Sequence, residues 1–309
     1  MANKTVTVKA SAGDYTTLNT ALSGESADLV TGTCILTIDC YNIADTTAVD
    51  TGTGYTVSSS YYINIVAHDS HGGKYSTEAY RLLFTGTAHW QHAFNINESY
   101  TRVTGIQISV EDTSYANYGI FGAYGSANFY LDKIIVRRVG GAFSYDTGIS
   151  FDVGAHATVT NSLVYGFNGS IGYGVANSEG LANLKLYNTT IVDCDTGVAQ
   201  ALTSTIEAKN VGCSNCTTAF TGAGITQTTC SSTTPTFVNA GAKDYHLASN
   251  DTTWINQGTD LSATFTTDID GTTRPTGAGT WDIGADEYVA AGGSSIVPIL
   301  LNQYRARRQ

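Results

Sequence analysis

The chain has 309 residues, enough for one large domain or two small ones, and a net charge of −11 from 15 Lys and Arg against 26 Asp and Glu. That acidity argues against a nucleic-acid partner, because phosphate binding needs clustered Lys and Arg, and no 18-residue apolar run offers a membrane-spanning helix. Charged residues make up only 13% of the chain, with Ser, Thr, Asn, Gly and Tyr in their place. The N-terminus has no apolar h-region, so the expectation is that a secretory signal is absent or was removed and replaced by a start methionine. Residues 4–10 alternate around Val6 and Val8 and predict a first strand. Asp14 is placed to cap a short helix from Tyr15 to Ser23, with Leu18, Ala21 and Leu22 on one face and Gly24 ending it. Further strands are predicted at 34–43, 61–67, 81–84 and 92–96, with His68 and His71 in a loop.

From Arg102 to Ile225 the sequence repeats. Val103, Leu131, Val159, Leu186 and Ala208 each open a segment that has Gly105, Lys133, Asn161, Asn188 or Asn210 two residues on. Their starts lie 28, 28, 27 and 22 residues apart. A second column keeps step: Gly119-Ile120, Gly148-Ile149, Gly174-Val175, Gly197-Val198 and Ala219-Phe220. Self-similarity at this period marks a solenoid. Alternating apolar residues rich in Thr, Val, Ile and Tyr make its elements strands. The expected fold is therefore all-β, a right-handed parallel β-helix with a short N-terminal capping helix and a C-terminal extension. Asn161, Asn188 and Asn210 are expected to stack as a structural ladder at one bend, where positive φ is needed. The six cysteines read best as buried thiols filling coil interiors. Cys213-x-x-Cys216 is only half of a zinc pattern, and no metal or cofactor is expected.

The pattern changes after Cys230. Asp244-Tyr-His-Leu247 leads to Asp268-Ile-Asp-Gly-Thr-Thr-Arg-Pro275 and then to Asp282-Ile-Gly-Ala-Asp-Glu-Tyr288. This ending resembles the C-terminal segment of right-handed parallel β-helix proteins of the pectin-lyase-like superfamily. The opening, Val6-Thr-Val-Lys-Ala-Ser-Ala-Gly-Asp-Tyr-Thr-Thr-Leu18, resembles their N-terminal cap. The resemblance spans about residues 4–288 and implies the fold but no single activity, since the superfamily holds lyases, hydrolases, esterases and phage tailspikes. The chain divides into an N-terminal strand and capping helix (1–33), the β-helix (34–233), C-terminal cap strands (234–288), and a linker with a docking tail (289–309). Within 234–288, Asp268-Ile-Asp-Gly271 reads as a turn, and Arg274 is placed to pair with Asp282 or Asp286.

Resemblance to pectate lyases would imply calcium-binding carboxylates and a basic residue. Asp193, Asp195 and Asp152 are the catalytic candidates, with Asp146 as a further carboxylate and Lys133, Arg137 and Arg138 as bases. No spacing singles out a site, and the polygalacturonase motifs are absent. Solvated loop carboxylates are the plainer reading. The tail is more distinctive: apolar Ile296, Val297, Ile299, Leu300 and Leu301 are followed by Tyr304, Arg305, Arg307 and Arg308. It reads as an anchor to other virion proteins. The functional expectation is a structural protein on a bacteriophage virion surface, a capsid decoration or tail-associated β-helix assembled as a homotrimer. Its Tyr-, Ser-, Thr- and Asn-rich outer face could bind host-surface glycans. The alternatives are a β-helix polysaccharide lyase or glycoside hydrolase, and an extracellular adhesin.

Overall fold

A computed structural model describes residues 3–290, leaving aside 53, 112–114, 123–124, 126–127, 141–142, 178–179 and 277–279. The tail from Ile296 to Gln309 thus lies outside the described residues. Strands within them form three parallel sheets of nine, seven and seven strands. Each coil gives one strand to each sheet. Phe129–Asp132 joins the nine-stranded face, Ile135–Arg138 and Thr147–Phe151 join the two seven-stranded faces, and His156–Thr160 begins the next coil. The chain is a right-handed parallel β-helix, the hand that twisted parallel strands impose on their crossovers.

Both sequence columns are registers of this stack. Val103, Leu131, Val159, Leu186 and Ala208 pair in order across the nine-stranded face. Ile120, Ile149, Val175, Val198 and Phe220 do so across one seven-stranded face. The apolar members point inward and, apart from half-buried Phe220, are closed off from solvent within one continuous core. The glycines beside the second column are required by the stacking. A Cβ on Gly119 or Gly148 would lie 2.6 Å from the carbonyl oxygen of Gly148 or Gly174, and on Gly197 it would lie 2.7 Å from that of Ala219.

The bend between the nine-stranded face and its neighbour is turned by one left-handed residue per coil: Gly105, Lys133, Asn161, Asn188, Asn210. Asn210 Nδ2 donates to Asn188 Oδ1 at 3.1 Å, so these two stack as expected. Asn161 is bonded differently, donating to Asp132 Oδ1 at 3.0 Å and accepting from Arg274 at 3.3 Å.

The N-terminal helix is Leu18–Gly24, and its cap is Thr17, whose hydroxyl accepts from Thr20 N at 3.2 Å. Asp14 does not cap it. Tyr15 is drawn into a bridge with Val8, and Asp14 Oδ2 accepts from Thr7 N at 2.8 Å instead. Lys4–Val8 already pairs in parallel with Leu36–Cys40, so the nine-stranded face begins ahead of the helix. The helix packs on Lys4–Val8 and Val49–Asp50, the terminal strands of two sheets, and so covers the N-terminal opening.

The segment from 234 to 288, expected as a terminal cap, lies along the flank. The outward residues Ile135, Leu163, Tyr165 and Val192 of one seven-stranded face are apolar, and Tyr245, Ile269 and Ala285 cover them. Trp254 lies over Gly212, where a Cβ would meet the ring. The strand Leu163–Tyr165 of this face is buried at every residue, as covering on both sides requires, and reads as a short unbroken apolar run. Arg274 pairs with Glu287 at 2.7 Å, not with Asp282 or Asp286, whose carboxylates accept from Asn256 N, Tyr288 N and Leu247 N. All six cysteines are free, four of them buried.

Replacing Gly148 by Ala should cost about 1–3 kcal/mol through forced separation of coils. Gly241→Ala, with its nearest neighbour atom 3.5 Å from the added carbon, should stay within about 0.5 kcal/mol of the parent in denaturant unfolding.

Candidate functional site

The open seven-stranded face carries a groove of about 290 Å³, lined by four aromatic residues, Trp90, Tyr118, Tyr145 and Tyr173. Two of them come from the sheet itself. Tyr118 and Tyr173 stand either side of Thr147 in one register column. The other two sit at coil corners. Trp90 precedes the strand His92–Ile96 and Tyr145 precedes Thr147–Phe151. Both corner residues hold left-handed backbone, φ 64° and 72°, a conformation that bulky side chains rarely adopt. Both remain exposed, at 53% and 47%. The Trp90 ring lies 6.2 Å from Tyr118 and 6.0 Å from Tyr145. Floor and rim are made by Thr147, Ser150, Asn177, Gln200 and Thr221 with small alanines between them.

Buried polar residues hold both corners in place. Arg138 and Asp146 form an ion pair at 2.9 Å with both side chains fully buried. Asp146 also accepts from Asn117 N and Phe143 N, each at 2.9 Å, which fixes the turn that presents Tyr145. Asn117 Oδ1 accepts from Gln91 N at 2.8 Å, and Trp90 N donates to Ala116 O at 2.6 Å. Asp146 and Arg138, weighed from the sequence as a carboxylate and a base, are thus spent on scaffolding. Arg137 lies 3.2 Å from the centre of the Tyr75 ring.

The remaining candidates fall apart in space. Asp193 is itself a left-handed corner residue whose carboxylate takes Asn215 at 2.6 Å and Lys243 at 3.1 Å. Asp195 stands just before the strand Thr196–Gln200, whereas Asp152 follows the strand Thr147–Phe151. They therefore sit at opposite ends of the open face, separated by a strand length of about 17 Å. A second groove, of about 570 Å³, runs over the nine-stranded face past Tyr130, His156, Asn183, Lys185 and Glu207. Glu207 is the only carboxylate among the described residues lining it, and the hydrogen bond from Lys209 holds its pKa below the usual range. Glycoside hydrolysis generally needs two carboxylates, one of them protonated.

One cluster that the sequence did not single out lies on the flank. His246, Asp270 and Asp286 bring one ligand atom each within 4.8 Å of one another, the only such group among the described residues. Asp270 and then Asp244, 2.5 Å from Nδ1, raise the imidazole pKa to about 9 despite burial. At neutral pH the ring is itself the cation of the cluster.

No protein-family model matches the chain, and no curated protein matches it. Among solved structures, pectate lyase Pel9A aligns over 94% of this chain and 97% of its own, at 11% identity and a TM-score of 0.40. The fold stands on the strand registers described above.

Truncating the buried partner in Asp146→Ala should cost about 3–5 kcal/mol and speed backbone hydrogen exchange at Phe143 and Tyr145. The flank should respond to pH. His246 holds its proton more tightly folded than unfolded, so its contribution is complete below about pH 6.5 and is lost as pH rises through about 9. Burial raises Asp282 to about 7 and lifts Asp286 above its usual value, and both act with the same sign. Asp251 has the opposite sign: burial is outweighed by N–H donors from Thr236 and Trp254, and its contribution is lost as pH falls. Thermal stability should therefore peak near about pH 5 and decline toward pH 9. A flat profile over that range would contradict the assignment.

Proposed function

We propose that the protein binds carbohydrate in the aromatic groove of its open face and acts as a presented binding body rather than as a hydrolase. One observation carries this reading. Trp90 and Tyr145 project their rings into solvent beside the groove, from backbone conformations that disfavour bulky side chains. A pyranose ring offers a C–H face and a belt of hydroxyls. Aromatic faces suit the first, and the hydroxyl and amide groups of Thr147, Ser150, Asn177 and Gln200 suit the second. No carboxylate lines the groove among the described residues, which favours binding over cleavage.

The setting proposed with it is a bacteriophage virion surface, with the body projecting as a homotrimer and residues 296–309 docking on other virion proteins. This part rests on the apolar-then-basic composition of Ile296–Arg308. Loss of particle incorporation on deleting residues 292–309 would support it, and unchanged incorporation would remove it.

Asparagine tolerates left-handed backbone, so Trp90→Asn and Tyr145→Asn should fold normally. Each should weaken retention on a glycan array about tenfold, the scale of an aromatic hot spot. Release of new reducing ends or unsaturated products from any array glycan would overturn the non-hydrolytic reading.

A further inference from the structure

Resting on that carbohydrate reading, we infer that the groove takes an uncharged saccharide chain lying along the solenoid axis, with Asn177 Oδ1 accepting a hydrogen bond from a sugar hydroxyl. Three observations converge on it.

The first is charge. None of the twelve described residues that line the groove is an acidic or basic type: three tyrosines and a tryptophan are joined only by Thr, Ser, Asn, Gln and Ala. The chain as a whole carries a net charge of −11. A polyuronate laid here would meet no cation among those described residues and would work against the field of the whole protein. The adjoining concavity, which shares Trp90, adds Asp50 and so reinforces that bias. Lys185, by contrast, lines the other groove, on the nine-stranded face.

The second is an unused acceptor. Asn177 is buried, lines the groove, and donates through Nδ2 to Thr205 O at 3.2 Å. Its Oδ1 is shut off from solvent with no partner. Leaving a buried acceptor unpaired costs about 1–3 kcal/mol, so a hydroxyl that meets Oδ1, once a small rotation of the Asn177 side chain opens it to the groove, gains more than the same bond would at an exposed site. A hydroxyl is a neutral donor that is also content in water.

The third is shape. Residues lining the groove come from the corner ahead of the strand His92–Ile96 through to Thr218–Thr221, six strands in one sheet. At the usual spacing between paired strands this run covers on the order of 24 Å. That length suits several sugar units rather than a single one. The exposed rings recur along it, so successive units can each find a face.

The test is affinity electrophoresis of the full chain in native gels cast with neutral polymers (dextran, mannan, hydroxyethyl cellulose) or acidic ones (polygalacturonate, alginate). At least one neutral polymer should retard the protein, and the retardation should be unchanged between low and high salt, because no ion pair is being screened. The acidic polymers should leave its mobility as in a blank gel. Asn177→Leu, checked for an intact melting transition, should weaken retardation by the neutral polymer about tenfold, the scale of one lost hydrogen bond. Equal retardation by acidic polymers, or binding that fades with salt, would overturn the neutral-ligand inference while leaving carbohydrate binding in place. Full retardation of a folded Asn177→Leu variant would overturn the assigned role of Oδ1. Failure of every polymer, neutral and acidic, to retard the parent protein would overturn both this inference and the proposed function.

Discussion

Parallel stacking leaves about 4.8 Å between one coil and the next, and every corner has to turn within that height. The rest of the structure follows from this spacing. At the bend beside the nine-stranded face it selects residues that tolerate left-handed backbone, Gly105, Lys133, Asn161, Asn188 and Asn210 in successive coils. Beside the open face it removes the side chain altogether at Gly119, Gly148, Gly174 and Gly197, because the carbonyl of the next coil occupies the place of a Cβ. Residues on the outer faces are released from these demands. Whatever they present to solvent is therefore open to other requirements, including ligand binding.

The three faces use that freedom differently. One carries an apolar outer patch at Ile135, Leu163, Tyr165 and Val192, which the segment 234–288 closes. The nine-stranded face is polar and mixed in charge, with Lys209 against Glu207 and Tyr187 bonded to the same carboxylate at 2.8 Å. The third is uncharged along its groove among the described residues and aromatic at its corners. The Arg138–Asp146 pair belongs to this third face in effect, though it is buried beneath it. It converts two charges that resemble catalytic groups in the sequence into a rigid mount for Tyr145.

The coil core was legible because stacking repeats one requirement at one interval. Val103 through Ala208 and Ile120 through Phe220 pair residue for residue as the sequence columns imply. The groove was less legible although its signal is present: Trp90, Tyr118, Tyr145 and Tyr173 lie 28, 27 and 28 residues apart. Those aromatics answer to no packing rule, so nothing in coil geometry marks them out from other tyrosines. The flank was misread for a different reason. Its contacts join residues with no periodic relation, such as Arg274 with Asn161 and Lys74 with Asp244. The double-sided burial that demands a cover was visible only as the short runs Ile134-Ile-Val136 and Leu163-Val-Tyr165. The exchange of Asp14 for Thr17 as helix cap likewise turned on a bridge between Tyr15 and Val8 that no local propensity encodes.

That late cover has a kinetic consequence. Coils can form in sequence order, each templated by the edge of the last, with closely spaced contacts that assemble quickly. The flank segment must instead wait for partners that lie up to 170 residues upstream, and it leaves the ribosome after them. Until it docks, Ile135, Leu163, Tyr165 and Val192 form a continuous apolar stripe on an otherwise finished rod. The vulnerable species during synthesis is therefore a nearly complete solenoid with one greasy side, a form suited to side-by-side aggregation. Docking of the segment 234–288 covers that side.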